Sequence, residues 1–75
     1  MNGIQRVVLD KRGGWDVLSG FQRFLIGNFP TQSEACRVAD QRAKSMKTER
    51  IVWDRDGRIR QRDHYGRRGR GVERI

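Results

Sequence analysis

Cysteine, proline and long apolar runs are scarce in this sequence. Its 75 residues include one cysteine, Cys36, one proline, and no apolar run longer than three residues. A lone cysteine cannot form an internal disulfide, which excludes the small secreted scaffolds held by several bridges and favours a reducing compartment. Such short apolar runs predict neither a signal peptide nor a membrane span. We therefore expect a cytoplasmic protein without membrane contact.

Acidic and apolar residues are also few. Nine Asp and Glu stand against 17 Lys and Arg, which gives a formal net charge of +8, and only 35% of the residues are hydrophobic. A chain this short forms one domain at most and buries only ~60% of its unfolded surface, so a thin core and no large catalytic cavity are expected. Cys36, Asp63 and His64 supply neither a metal-ligand quartet nor a placed base. We expect no enzymatic activity, no cofactor and no metal.

Arginine supplies most of the positive charge. The chain contains fourteen arginines and three lysines. Arginine forms forked, bidentate bonds to phosphates and guanine edges, whereas lysine acts as a point charge. The composition therefore predicts an anionic partner without identifying it.

Local patterns predict five strands and one helix. Runs rich in β-branched and aromatic residues, separated by turn-type clusters, favour strands over residues 4–9, 15–18, 21–29, 50–53 and 58–60. Asp56-Gly57 between the last two runs indicates a hairpin. The expected fold is α+β, a small antiparallel sheet in the order β-β-β-α-β-β packed on one helix, over residues 1–65. Residues 66–75, rich in arginine and glycine, are expected to form a flexible basic tail.

The helix is predicted by its start and by its apolar stripe. Thr31 and Glu34 have the spacing of a capping box, in which the threonine hydroxyl accepts a hydrogen bond from the amide three residues later. Apolar residues then recur along one side for about four turns, at Ala35, Val38, Ala39, Ala43 and Met46. Small alanines predict close contact with the sheet. Trp15 and Trp53, which begin and end strands, are expected to fill the core.

The segment from strand two to the helix resembles AP2/ERF DNA-binding domains. The similarity is carried by Trp15-x-Val17 and by Ile26-Gly27-x-Phe29-x-Thr31-x-x-Glu34-Ala35-x-Arg37-x-x-Asp40, within residues 6–43. In that family a three-stranded antiparallel sheet packs on one helix and its open face lies in the DNA major groove. The resemblance implies an open face made of strands one to three. Candidate contacts in this part of the chain are Arg6, Arg12 and Arg23.

A second resemblance covers residues 4–66. It is carried by Gly13-Gly14-Trp15-x-Val17, by Phe29-x-Thr31-Gln32-x-Glu34-Ala35, and by Ile51-Val52-x-x-Arg55-Asp56-Gly57-Arg58-Ile59-Arg60-x-Arg62-Asp63-x-Tyr65-Gly66. These motifs are similar to a widespread family of short bacterial and phage proteins, domain-of-unknown-function family 2188. The resemblance implies a β-β-β-α-β-β layout and a bacterial or phage source, and it leaves the function open.

The densest positive charge lies near the C-terminus. Arg58, Arg60 and Arg62 alternate along the last predicted strand, so in a regular strand they project from one face about 6 to 7 Å apart, near the spacing of phosphates. The alternative is a solvated edge strand whose charges prevent aggregation. Arg67, Arg68 and Arg70 extend the charge, and simple solubilisation is the alternative there. Tyr65 is a candidate for stacking on bases, against a structural role at the end of the sheet.

We therefore expect a small basic protein that binds nucleic acid, DNA rather than RNA, mainly through arginine and phosphate. The candidate nucleic-acid-binding residues are Arg6, Arg12, Arg23, Arg58, Arg60, Arg62, Tyr65, Arg67, Arg68 and Arg70. The alternative is a phage or mobile-element protein that binds an acidic surface of a host protein and modulates it.

Overall fold

Five strands and one helix follow one another in the predicted order. A computed structural model describes residues 3–66. The elements are β1 (Gln5–Leu9), β2 (Trp15–Ser19), β3 (Phe24–Phe29), α1 (Gln32–Met46), β4 (Glu49–Trp53) and β5 (Ile59–His64). The α+β class and the β-β-β-α-β-β order are confirmed. No helix within residues 3–66 is long and apolar enough to cross a membrane.

The strands form one sheet in the order β3-β2-β1-β4-β5. Three neighbouring pairs are antiparallel, as expected, but the pair of β1 and β4 is parallel. The expectation of a wholly antiparallel sheet was wrong at this pair. The reason is the connection, because α1 runs back across the sheet between β3 and β4 and leaves these two strands parallel. Since β3 is also parallel to β1, β4 meets β1 in parallel.

The core lies between α1 and one face of the sheet. Ala35, Ala39 and Ala43 of the helix are fully buried, and they let the helix approach Val7, Val17 and Val52. Trp15 is 5% exposed in the same cluster, which confirms its predicted place in the core. Met46, the last residue of the predicted apolar stripe, is instead 43% exposed.

Two strands, β3 and β5, differ from their predicted bounds by more than one residue. Residues 20–23 form a turn, with the amide of Arg23 donating to the carbonyl of Gly20, so β3 begins at Phe24. Arg23 has a φ of 56°, which no strand residue adopts. At the other end β5 begins at Ile59 and continues to His64.

The predicted helix start and hairpin are both present. The hydroxyl of Thr31 accepts a hydrogen bond of 3.1 Å from the amide of Glu34 at the start of α1. Between β4 and β5, the amide of Asp54 donates to the carbonyl of Arg58 and the amide of Gly57 donates to the carbonyl of Asp54. Gly57 has a φ of 81°, a conformation that favours glycine.

Candidate nucleic-acid interface

The edge strand β5 carries two of the predicted contact residues, Arg60 and Arg62, and a third, Arg58, lies just before it. The first four residues of β5, 59–62, are exposed, and Arg58 is exposed in the turn just before the strand. Arg58, Arg60 and Arg62 together form the basic edge of the sheet. None of the three makes an ion pair with another residue of the described part of the chain. Their charges therefore face solvent.

The basic edge is not a regular comb. The pairing of β5 with β4 shifts by one residue, because Ile59 lies opposite Trp53 while Gln61 lies opposite Val52, so that Arg60 is an extra residue. A bulge of this kind changes the direction of the side chains that follow it. The expectation that the three arginines share one face, which assumed a regular strand, was wrong.

Arg60 and Arg62 lie on opposite sides of the sheet. Arg60 donates a hydrogen bond to the side-chain oxygen of Gln32, at the start of α1, and so lies on the helix side. Arg62 is paired with Ile51. The residues on either side of Ile51 in β4, Arg50 and Val52, face the helix, so Ile51 faces the opposite side. Arg62 therefore projects from the uncovered side. The basic edge presents positive charge on both sides of one strand.

A shallow depression of about 360 Å³ lies beside the basic edge, next to the start of α1. Its lining contains Trp15, Arg55 and Arg60 together with the carboxylates of Asp54 and Asp56. The guanidinium of Arg55 lies over the ring of Trp15, 5.8 Å from its centroid. Two guanidinium groups and two carboxylates leave the depression with no excess charge. It therefore offers less attraction to a phosphate than the outer edge of β5 does.

Tyr65 is held by a cluster of charged residues. Its hydroxyl donates a hydrogen bond to the carboxylate of Asp40, and the ammonium of Lys44 lies 5.6 Å from the centroid of its ring. Burial, and then the hydrogen bond to Asp40, raise the pKa of Tyr65 from 10.0 to about 12. Tyr65 thus connects the end of β5 to α1. This is the structural role that the sequence offered as the alternative to stacking on bases.

Arg50 lies at the centre of the same cluster. It is 9% exposed, is paired with Asp63 across β4 and β5, and lies 3.6 Å from the carboxylate of Asp40. Burial disfavours its charge, but the bond to Asp63 and the nearby negative charges outweigh this and raise the pKa of Arg50. These residues hold helix to sheet. This cluster was not predicted from the sequence, although a charged residue, Arg50, beside Ile51 and Val52 in a predicted strand could have indicated it.

Asp40 is stabilised as an anion by its neighbours. Partial burial disfavours the charge of this carboxyl, but hydrogen bonds from Tyr65 and Lys44 and the charge of Arg50 outweigh burial and lower its pKa. Lys44 lies one turn further along the helix, 3.3 Å from Asp40. In the same region burial raises the pKa of the Cys36 thiol, although the positive charges of Arg50 and Arg60 act to lower it. A thiol with a raised pKa is a poor nucleophile.

Arg12 and Arg23 lie away from the basic edge, whereas Arg6 lies two strands from Arg62 on the same side of the sheet. Arg6 is on β1 and donates to the carbonyl of Gly20 at 3.0 Å, while Arg12 and Arg23 lie in the turns that follow β1 and β2. Arg6 is paired with Ile51 and Ile51 with Arg62, so two strand spacings of about 4.8 Å separate Arg6 from Arg62 on the uncovered side. The structure does not bring Arg12 and Arg23 together with the basic edge. Arg67, Arg68 and Arg70, and the predicted tail beyond Gly66, lie outside the described residues.

The uncovered face of β1, β2 and β3 is the surface that the AP2/ERF resemblance implied. The pairing places six side chains on it, Arg6, Val8, Asp16, Leu18, Leu25 and Asn28. The amide nitrogen of Asn28 donates to the carboxylate of Asp16 at 2.9 Å. One arginine and one aspartate give this face no excess positive charge. The charges there do not support a face that lies against DNA.

Comparison with known proteins adds a family and nothing beyond it. No curated protein and no solved structure matches the chain. Within residues 3–66 no group of three or more His, Cys, Asp or Glu side chains is placed to hold a metal ion. The family model described as "Uncharacterized protein conserved in bacteria (DUF2188)" matches residues 5–65. That range includes the Arg50, Asp63 and Tyr65 cluster and the basic edge. Because the match covers most of the chain, the protein belongs to the DUF2188 family.

Proposed function

We propose that this protein binds nucleic acid, with DNA as the preferred form, through arginine and phosphate contacts along the basic edge. The observation that carries the proposal is the exposure of Arg60 and Arg62 on the edge strand β5 and of Arg58 just before it, without ion pairs to the other described residues. The formal charge of +8 supports it. Such contacts release counterions from the phosphate backbone and need no particular base sequence.

The geometry of the edge favours one mode of contact. Arg60 and Arg62 project from opposite sides of β5, so the strand would meet the backbone with its outer edge, not with a flat face. Arg60 uses part of its guanidinium on Gln32. A guanidinium has five N–H donors, so the others stay available for phosphate oxygens. Arg67, Arg68 and Arg70 follow β5 in the sequence and join the proposal on charge alone.

Titration of labelled duplex DNA, single-stranded DNA and RNA, followed by fluorescence anisotropy, tests the proposal. At about 50 mM and about 200 mM salt, each of Arg58→Ala, Arg60→Ala and Arg62→Ala should weaken binding to all sequences alike and lower the salt slope by about one unit. Arg37→Ala is the matched control, because Arg37 is an exposed arginine on α1. It removes the same charge and should leave the slope nearly unchanged.

A lysine variant separates backbone contact from base recognition. Arg62→Lys keeps the charge but loses the forked donors. If Arg62 contacts phosphate, as proposed, the affinity should change little. A loss of about 1 to 3 kcal/mol for one base sequence would instead show bidentate recognition of guanine.

Two outcomes would overturn the proposal. Equal losses for Arg37→Ala and Arg62→Ala would mean that the charge acts diffusely and that the basic edge is not the site. Absence of binding near 50 mM salt would remove the nucleic-acid function. An acidic surface of another protein is then the alternative partner, and a pull-down after nuclease treatment should recover one polypeptide.

A further inference from the structure

The edge formed by β3, opposite the basic edge in the sheet, is apolar and uncharged. Its residues 24–29 include no charged side chain. Four large apolar residues in and just before the strand are exposed: Phe21 at 77%, Phe24 at 64%, Leu25 at 59% and Ile26 at 38%. Neither the nucleic-acid proposal nor the core uses these side chains. Exposed apolar side chains do not increase the solubility of a short, charged protein, so solubility does not explain them.

An edge strand without charges is unusual, because its free N–H and C=O groups can pair with another strand. In β5 that tendency is opposed by two arginines, Arg60 and Arg62, and by a bulge. In β3 the bulge at Ile26 is the one protective feature of the strand. The two edges of the sheet therefore differ, and β3 is the edge suited to pairing.

Apolar side chains lie on both sides of β3. Phe24 is opposite Ser19, on the helix side, whereas Leu25 is opposite Leu18, on the uncovered side. Taking roughly 200 Å² for a whole phenylalanine side chain, Phe21 and Phe24 together expose about 280 Å². This is about a third of the ~800 Å² that each partner buries in a standard interface, before Leu25, Ile26 and the backbone are counted.

We propose that β3 pairs antiparallel with β3 of a second copy of this chain, so that two sheets become one continuous sheet. Such an interface is two-fold symmetric, so the start of β3 in one copy lies beside the end of β3 in the other. Arg23 precedes β3 at one end, and Asp16 lies beside Asn28 at the other. Neither makes an ion pair with another of the residues 3–66. In the symmetric pair these opposite charges approach each other twice.

The charge distribution favours a second copy over other occupants. Four strand spacings of about 4.8 Å place β5 about 19 Å from β3, more than twice the Debye length of ~8 Å at physiological ionic strength. The basic edges of both copies therefore lie at the far ends of the joined sheet and do not repel strongly. An acidic partner would be attracted to those far edges instead of to uncharged β3.

Sedimentation equilibrium of the full chain, from low micromolar to near-millimolar concentration, tests the proposal. The wild-type chain should show a monomer and dimer equilibrium. Leu25→Lys should raise the dimer dissociation constant by about tenfold or more, since it places a charge in the joined edge. Ile59→Lys is the matched control, because Ile59 is 49% exposed on the opposite edge, and it should leave the constant unchanged.

Amide hydrogen exchange supplies a second readout that is independent of mass. In the dimer, alternate amides of β3 should exchange more slowly as concentration rises, and Leu25→Lys should abolish this dependence. A wild-type chain that stays monomeric at the highest concentration overturns the proposal and leaves β3 for a different partner. A dimer that survives Leu25→Lys, or that is lost in Ile59→Lys, overturns it as well, because the interface must then lie elsewhere.

Discussion

Tyr65 offers a direct test of the charged cluster, because it is the one tyrosine in the chain. The absorbance change on forming phenolate therefore reports this side chain alone. Burial and the hydrogen bond to Asp40 should raise its pKa from 10.0 to about 12. The assay is a spectrophotometric titration of the folded protein, repeated in denaturant, where the ordinary value should return.

The raised pKa makes stability depend on pH in the alkaline range. Because the folded-state pKa of Tyr65 lies above its unfolded value, its contribution is complete below pH 10 and is lost as the pH rises towards about 12. A shift of about two units corresponds to at most ~2.7 kcal/mol. Screening by solvent at this partly exposed site reduces the expected contribution to about 1 to 2 kcal/mol.

Two variants separate the causes of the shift. Tyr65→Phe removes the hydroxyl, so its free energy of unfolding should be lower by about 1 kcal/mol at neutral pH and should fall less than that of the wild type between pH 10 and 12. Asp40→Asn removes the anion and should bring the pKa of Tyr65 closer to 10.0. If Tyr65 in the folded wild type titrates near 10, the hydroxyl does not bond to Asp40 and the cluster is refuted.

Three further substitutions test the core, the cap and one turn. Trp15→Ala should cost about 3 to 5 kcal/mol in urea unfolding, because Trp15 is 5% exposed in the core; a melting temperature within a few degrees of wild type would contradict this. Thr31→Ala should cost about 1 kcal/mol through the lost bond to the amide of Glu34, and unchanged stability would place the helix start elsewhere. Gly14→Ala should lower the free energy of unfolding more than Gly20→Ala, although the two glycines have similar φ values of 77° and 79°. At Gly14 an added Cβ would lie 2.8 Å from the backbone carbonyl oxygen of Phe29, whereas at Gly20 it would meet no atom within 4 Å. Equal losses for the two variants would show that φ alone matters.

Features that depend on neighbours along the chain were predictable. The Thr31 cap, the buried alanines of α1 and the turn at Gly57 were all expected, because each follows from spacing over a few residues. The order of elements followed in the same way. Trp15 was also placed correctly, since a large aromatic opposite small alanines has few other places to lie in a thin core.

Features that depend on which strands meet were decided by the tertiary structure. The parallel pair of β1 and β4 arises because α1 must cross the sheet, and no local pattern in either strand encodes that neighbour. The extra residue Arg60 likewise appears only when β5 is paired with β4. Alternation of arginines predicts a common face, but the bulge turns Arg60 to the helix side and leaves Arg62 on the other.

The sequence by itself determined the composition of this protein's surface, and the fold determined where that surface lies. Its charge of +8 and its supply of arginine are properties of the chain. Whether a given residue is free depends on partners distant in sequence, as Tyr65 shows with Asp40 and Arg50 with Asp63. The separation of a basic edge on β5 from an apolar edge on β3 likewise exists only once the strands take the order β3-β2-β1-β4-β5, because an edge is defined by the absence of a neighbouring strand.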